Sequence, residues 1–165
     1  MRILICDDDP LAIEQIHKNL KSFFTYKHIK CPEVISYSCG EDLLNDTGNK
    51  DIVFLDIEMG QEDGITVARR IRETDKSVLI VYVTSHESYM QESFEVRPFR
   101  FLVKPVGEER LEACFREAYE EISSNDSYFP IWGDEARARG YSIPLPFGVN
   151  LSYMNIRQDI LVDSI

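Results

Sequence analysis

An α/β fold, with five parallel strands in one doubly wound sheet and helices on both faces, is the architecture this sequence predicts. Three observations lead there. Over residues 1–122, short apolar runs alternate with segments of helical periodicity. The apolar runs lack the in–out alternation of a half-exposed strand, as expected of strands covered on both sides. The connections between them are short and polar.

The elements follow in order. Residues 2–6, Arg2 to Cys6, form the first strand. Pro10 suits the first turn of a helix, and Leu11, Ile13, Ile16, Leu20, Phe23 and Phe24 then recur at helical spacing. Val34–Tyr37 is a second strand, and a short helix starts at Gly40. Ile52–Leu55 is the third strand, followed by a loop from Asp56 to Gly64 and a helix marked by Ile65, Val67, Ala68 and Ile71. Val78–Val83 is the fourth strand, closing on Thr84 and Ser85. A weak helix over about residues 86–94 and a fifth strand over Phe99–Val103 come next. The last helix, 107–122, carries Leu111, Cys114, Phe115, Ala118 and Ile122 on one face. Ser123 to Ser127 reads as a helix stop and linker. Residues beyond it hold Pro130, Pro144 and Pro146, with no sustained period of either kind.

Composition bounds the function. The chain has 165 residues, 44% of them hydrophobic, enough for a real core. It shows no apolar run long enough for a membrane span and no secretory signal, so a cytoplasmic location is expected. The formal net charge is −11. Of 18 Lys+Arg and 29 Asp+Glu, residues 124–165 hold 3 and 5, so neither part has the basic surface of a DNA-binding module. Cys6, Cys31, Cys39 and Cys114 lack CxxC spacing and read as reduced thiols, with Cys6 and Cys114 in the core.

The chemistry lies at the strand ends. Asp7, Asp8 and Asp9 follow the first strand, Asp56 ends the third, and Lys104 precedes Pro105 after the fifth. Doubly wound sheets bind ligands outside the carboxyl ends of their strands. Each residue alone has an ordinary explanation: an acidic turn, a cap, a strand-end hydroxyl at Thr84, a surface lysine, a core Phe101. Together the acids crowd negative charge at one point, which is costly without a cation. Two of the triplet acids, Asp56 and the backbone carbonyl of Glu58 make a Mg²⁺ site. Asp56 then reads as a nucleophile accepting a phosphoryl group, Thr84 as a donor to a phosphoryl oxygen, and Lys104 as the ammonium reaching over the acids. A cis bond before Pro105 would aim Lys104 there. Phe101 reads as an aromatic rotor reporting the state of Thr84. Asp9 is a helix N-terminal charge.

These motifs, Ile5-Cys6-Asp7-Asp8-Asp9-Pro10, Phe54-Leu55-Asp56-Ile57-Glu58-Met59 with Asp63-Gly64, Val83-Thr84-Ser85 and Phe101-Leu102-Val103-Lys104-Pro105, resemble a two-component response-regulator receiver domain. The resemblance covers about three quarters of the chain, residues 1–122, and implies the flavodoxin/CheY-like strand order 2-1-3-4-5. It implies that Asp7 and Asp8 hold Mg²⁺, that a sensor histidine kinase phosphorylates Asp56, and that Thr84 and Lys104 contact the phosphoryl group. It also implies a surface of the fourth helix, fifth strand and fifth helix that switches partner binding or homodimerisation. The chain would assist only its own phosphorylation and dephosphorylation and would not be an enzyme. The stretch from Ser93 to Pro105 is similar to receivers joined to a LytTR-type DNA-binding domain, so transcriptional regulation is the expected output. The sequence departs from the family pattern at Met59-Gly60, where Met-Pro is common, and at Phe101, often tyrosine.

Residues 123–165 depart further. They are too few and too acidic for a LytTR domain, so this chain alone is not expected to bind DNA. Codons for Tyr153-Met154-Asn155-Ile156, displaced by one frame, loosely match a first LytTR strand. A truncated or out-of-frame output domain is therefore one expectation, and a stand-alone receiver acting through protein contacts is the other. A dehalogenase-like aspartyl phosphatase uses similar groups but places its nucleophile in the first acidic motif, whereas here the acid pair comes first. A nucleotide-binding domain lacks support because no glycine-rich fingerprint follows the first strand.

Overall fold

The computed structural model describes residues 1–60 and 62–125. The chain divides into two units, Met1–Ser127 and Tyr128–Ile165, and all described residues belong to the first. The expectations for residues 126–165 lie outside the described residues.

Strands β1 (Arg2–Cys6), β2 (Glu33–Tyr37), β3 (Ile52–Leu55), β4 (Leu79–Thr84) and β5 (Arg100–Val103) form one sheet in the order β2-β1-β3-β4-β5. Every pairing in it is parallel. Helices α1 (Pro10–Tyr26), α2 (Gly40–Asn45), α3 (Gly64–Thr74), α4 (Met90–Ser93) and α5 (Glu108–Asn125) connect the strands. This is the expected fold and strand order.

Strand side chains alternate between two cores, which explains the uninterrupted apolar runs. Ile3, Ile5, Ile52, Phe54, Val81 and Val83 face α1 and α5, meeting Leu20, Phe23, Phe24, Leu111 and Phe115. Leu4, Cys6, Val53, Leu55, Ile80 and Tyr82 face the opposite way, against Leu43 of α2 and Ile65, Ala68 and Ile71 of α3. The rings of Phe23 and Phe24 meet Phe115 edge-on at 4.8 and 5.1 Å between centroids, which joins α1 to α5. Cys6 and Cys114 are buried and form no disulfide, as expected, whereas Cys31 is exposed and Cys39 intermediate.

The helices start where the sequence supplies caps. Asp9 accepts a hydrogen bond from Leu11 N–H at 2.9 Å with Pro10 in the first turn, and Asp63 accepts from Ile65 N–H at 3.0 Å. Three local differences from expectation have physical causes. The single helix expected over about 86–94 is a 3₁₀ turn Glu87–Tyr89, the four-residue α4 and a second 3₁₀ turn Phe94–Val96, closed by Arg97 in the left-handed region at φ 51°. So short a run gains few backbone bonds and depends on its neighbours. Residues 123–125, expected to stop the last helix, continue it, since serine and asparagine lower helix propensity without blocking it. In the loop after β3, Glu58–Met59 and Glu62–Asp63 pair as a two-residue antiparallel ribbon, with Gly60 at φ 53° in its turn. Met59 anchors the ribbon in the core, its sulfur 3.4 Å from the Cys6 thiol.

At the amino-terminal edge of the sheet, Arg2 grips Asp46 with two parallel bonds of 2.7 Å. The Tyr37 hydroxyl and Gly48 N–H also donate to that carboxylate. The Arg2 bonds hold the Asp46 carboxyl well below the usual carboxylate range. A depressed folded pKa contributes stability above the unfolded value near 4, and that contribution fades as pH falls below it. Asp46→Asn should therefore cost about 2 kcal/mol at neutral pH and flatten the acid limb of stability against pH, as read by urea melts from pH 7 down to 3.

Candidate functional site

The site forms where the chain leaves neighbouring strands in opposite directions. β1 feeds α1 on one face of the sheet and β3 leads to α3 on the other, so a crevice opens outside their carboxyl ends. Sheet hydrogen bonds extend one residue past the strands and fix the residues lining it. Asp7 N–H donates to Tyr37 O at 3.1 Å, Asp56 N–H to Cys6 O at 2.9 Å and Lys104 N–H to Thr84 O at 2.8 Å. The functional side chains thus stand on the ordered rim of the sheet.

Asp7, Asp8 and Asp56 each offer a carboxylate oxygen within 4.8 Å of one another. Asp7 and Asp56 are buried and Asp8 is exposed. Lys104 reaches over them, its ammonium 2.7 Å from Asp56 Oδ2 and 2.7 Å from Asp7 Oδ2. The Lys104–Pro105 bond is cis. The other Asp56 oxygen, Oδ1, accepts from Ile57 N–H at 2.6 Å, and Asp7 Oδ1 accepts from Asp9 N–H at 2.9 Å. Burial pushes the Asp7 carboxyl up against the opposing pull of Lys104, with Asp56 adding to the rise. Burial works to lower Lys104, but its hydrogen bond to Asp56 and its ion pairs with Asp56 and Asp7 outweigh that and leave it raised.

Three carboxylates against one ammonium leave the cluster short of positive charge. Asp7 Oδ2 has no aligned hydrogen-bond donor despite the nearby ammonium. An all-oxygen donor set of this size fits a hard divalent cation that keeps several waters, as Mg²⁺ does. The Glu58 side chain lies outside the set: it pairs with His86 Nε2 at 2.8 Å across the mouth, and only its backbone carbonyl remains for a metal.

Thr84 is fully buried at the end of β4, and its hydroxyl accepts from His86 N–H at 3.4 Å. Phe101 is half-buried rather than core, because β5 is an edge strand. Its ring centroid lies 6.0 Å from that of Tyr82. The structure therefore brings Asp7, Asp8, Asp56 and Lys104 together and sets Thr84 one backbone bond from Lys104. Sequence reasoning missed the Glu58–His86 bridge and the steric role of Gly64. A Cβ built on Gly64 would lie 2.0 Å from the Asp56 carbonyl oxygen. The only signal for that role was the Asp63-Gly64 pair itself.

The family model described as the response regulator receiver domain matches residues 3–116. The sensory transduction protein LytR of Staphylococcus haemolyticus is 32% identical over 126 residues, covering 76% of this chain and 48% of that protein. The positive alginate biosynthesis regulatory protein of Pseudomonas aeruginosa is 35% identical, covering 72% and 47%. The chain thus spans about half the length of these curated relatives. Relatives bearing the LytR name agree with the subgroup expected from the sequence. Among solved structures, response regulator TrrA of Thermotoga maritima, in complex with Mg²⁺ and beryllofluoride, superposes with TM-score 0.62 at 28% identity, covering 71% of this chain and 97% of that one. The response regulatory domain of mrkE from Klebsiella pneumoniae gives 0.67 at 25%, covering 75% and 99%.

Proposed function

The chain belongs to the response regulator receiver domain family, and on that premise we propose that Asp56 accepts a phosphoryl group from a sensor histidine kinase and that phosphorylation switches partner binding. The observation that carries this reading is the single ammonium of Lys104 bonded to Asp56 Oδ2 inside a cluster of acids. An isolated lysine there would serve charge balance alone. Beside a nucleophilic carboxylate it also meets the charge that an incoming phosphoryl group brings.

In the transfer, an Asp56 oxygen attacks phosphorus while the bond to the kinase histidine nitrogen breaks and its electron pair stays on the imidazole. Asp7, Asp8, Asp56 and the Glu58 carbonyl would hold Mg²⁺, which when bound neutralises phosphoryl oxygens. The Ile57 N–H orients the Asp56 carboxylate through Oδ1. Lys104 shifts from pairing two carboxylates to pairing the phosphoryl group, and the Thr84 hydroxyl donates to one of its oxygens. Phe101 responds to the movement of Thr84. The surface of α4, β5 and α5 then changes its affinity for a partner, including a second copy of the chain. No external substrate is turned over.

The relatives' description as transcriptional regulators supports a transcriptional output, and the acidic charge balance speaks against this chain gripping DNA by itself. Incubation with acetyl phosphate and Mg²⁺ is expected to add one phosphoryl group by intact mass, and a chelator should prevent it. A chain that stays unmodified under both conditions would refute the phosphoryl-acceptor reading.

A further inference from the structure

Lys104 is held unevenly along the chain. Its own N–H donates to Thr84 O at 2.8 Å, which fixes the side facing the sheet. On the other side the chain runs through Pro105, Val106 and Gly107 before α5 begins at Glu108. Pro105 has no N–H to be held by. Gly107 stands in open space, since a Cβ built there would meet nothing within 4 Å. Val106 anchors this turn, with its side chain buried in the core shared by α1 and α5. Burial sets its depth, but the orientation of its carbonyl is left to a hydrogen bond.

That bond comes from Gln15, in the second turn of α1, whose side-chain amide donates to Val106 O at 3.0 Å. Among the described residues, no backbone N–H donates to that carbonyl. The bond closes a ring of contacts around the crevice. Lys104 pairs with Asp7 Oδ2 at 2.7 Å, and Asp7 Oδ1 accepts from Asp9 N–H at 2.9 Å. Asp9 caps α1, α1 carries Gln15, and Gln15 leads back through Val106 to Lys104. The acids of β1 and α1 and the lysine after β5 are thereby tied to one another. The Phe23 and Phe24 contacts with Phe115 also join α1 to α5, but they lie about two turns further along α1. Gln15 itself is exposed, so little of the fold depends on it.

We propose that Gln15 is a positioning residue for Lys104: its bond to Val106 O fixes the turn after β5, so that the ammonium stays over Asp56 and Asp7 and meets the incoming phosphoryl oxygens there. Without the bond the turn loosens at Gly107, where the backbone is least restricted, and the ammonium spreads over more positions. Transfer depends on where the compensating charge is held, so a loosened Lys104 slows the reaction while leaving the acceptor intact. The inference rests on the phosphorylation reading above and adds a residue outside the crevice on which the rate depends.

The test compares rates of phosphoryl uptake from acetyl phosphate and Mg²⁺, read by intact mass, in the full wild-type chain, Gln15→Met and Gln15→Arg. No kinase is present, so docking of a partner does not enter. Methionine has the length of glutamine but no donor, whereas the arginine Nε–H lies as many bonds from the backbone as the glutamine amide. In buffer salty enough to screen surface charge, Gln15→Met should react about tenfold more slowly than wild type. Its melting temperature should stay within about 2 °C of wild type, because one exposed hydrogen bond contributes little. Gln15→Arg should regain a rate within about twofold of wild type, since it restores the donor. Gln15→Met reacting at the wild-type rate would overturn the proposal. So would Gln15→Arg as slow as Gln15→Met, because the donated bond would then not be what matters. Both results leave the phosphorylation reading intact. A wild-type chain that takes up no phosphoryl group would overturn that reading and this one with it.

Discussion

An Asp56→Asn chain is expected to take up no phosphoryl group from acetyl phosphate, where wild type takes up one, while keeping its fold. The amide has the shape of the carboxylate and can still accept from Ile57 N–H through its oxygen. It has lost the anionic nucleophile, so no bond to phosphorus forms. The neighbouring acids are poor substitutes. Asp7 has one oxygen bonded to Asp9 N–H and a carboxyl pushed up by burial, and Asp8 is exposed and lacks the Lys104 contact. Lys104 retains Asp7 as its ion-pair partner in the variant, so the site does not gain an unpaired ammonium. Intact mass after acetyl phosphate treatment reads the result directly. Uptake of one phosphoryl group by Asp56→Asn would mean that another carboxylate is the acceptor, and peptide mapping would identify it.

The sheet and the acidic rim were legible because both follow from simple periodicities. Continuous apolar runs at 2–6 and 52–55 mark strands buried on two faces, and an acid directly after such a run has only the strand end to occupy. Asp9 was readable as a cap because it precedes Pro10. Features set by tertiary contact were not. The ribbon after β3 has too few residues for any period to register, and what places it is Met59 in the core. The α4 segment is broken into turns because its hold comes from Arg69 and Arg72 on another helix. An arginine's choice of carbonyl partners leaves no mark on sequence spacing. The ordinary alternative for Phe101, a core residue, was open because pattern reading cannot tell an edge strand from a central one.

Gly64→Ala should slow phosphorylation about 100-fold and cost about 3 kcal/mol of stability, and the first effect should exceed what the second explains. A Cβ at position 64 would sit 2.0 Å from the Asp56 carbonyl oxygen, 2.9 Å from its carbonyl carbon and 2.9 Å from Ile57 Cα. All three atoms are backbone, so no side chain can swing aside to relieve the contact. The close approach is already tied down, with Gly64 N–H donating to Ile57 O at 2.8 Å and Asp63 capping α3 one residue away. The Asp56–Ile57 peptide must therefore move. That peptide carries the N–H bonded to Asp56 Oδ1, so its displacement turns the carboxylate away from Lys104 and from Asp7 and Asp8. Global destabilisation predicts a different pattern. Asp46→Asn loses the Arg2 clamp at the amino end of β1 and meets the crevice only indirectly, through the Tyr37 hydroxyl, so its phosphorylation rate should stay near wild type. If Gly64→Ala and Asp46→Asn slow acetyl phosphate uptake equally at matched folded fraction, Gly64 holds the fold together without positioning Asp56.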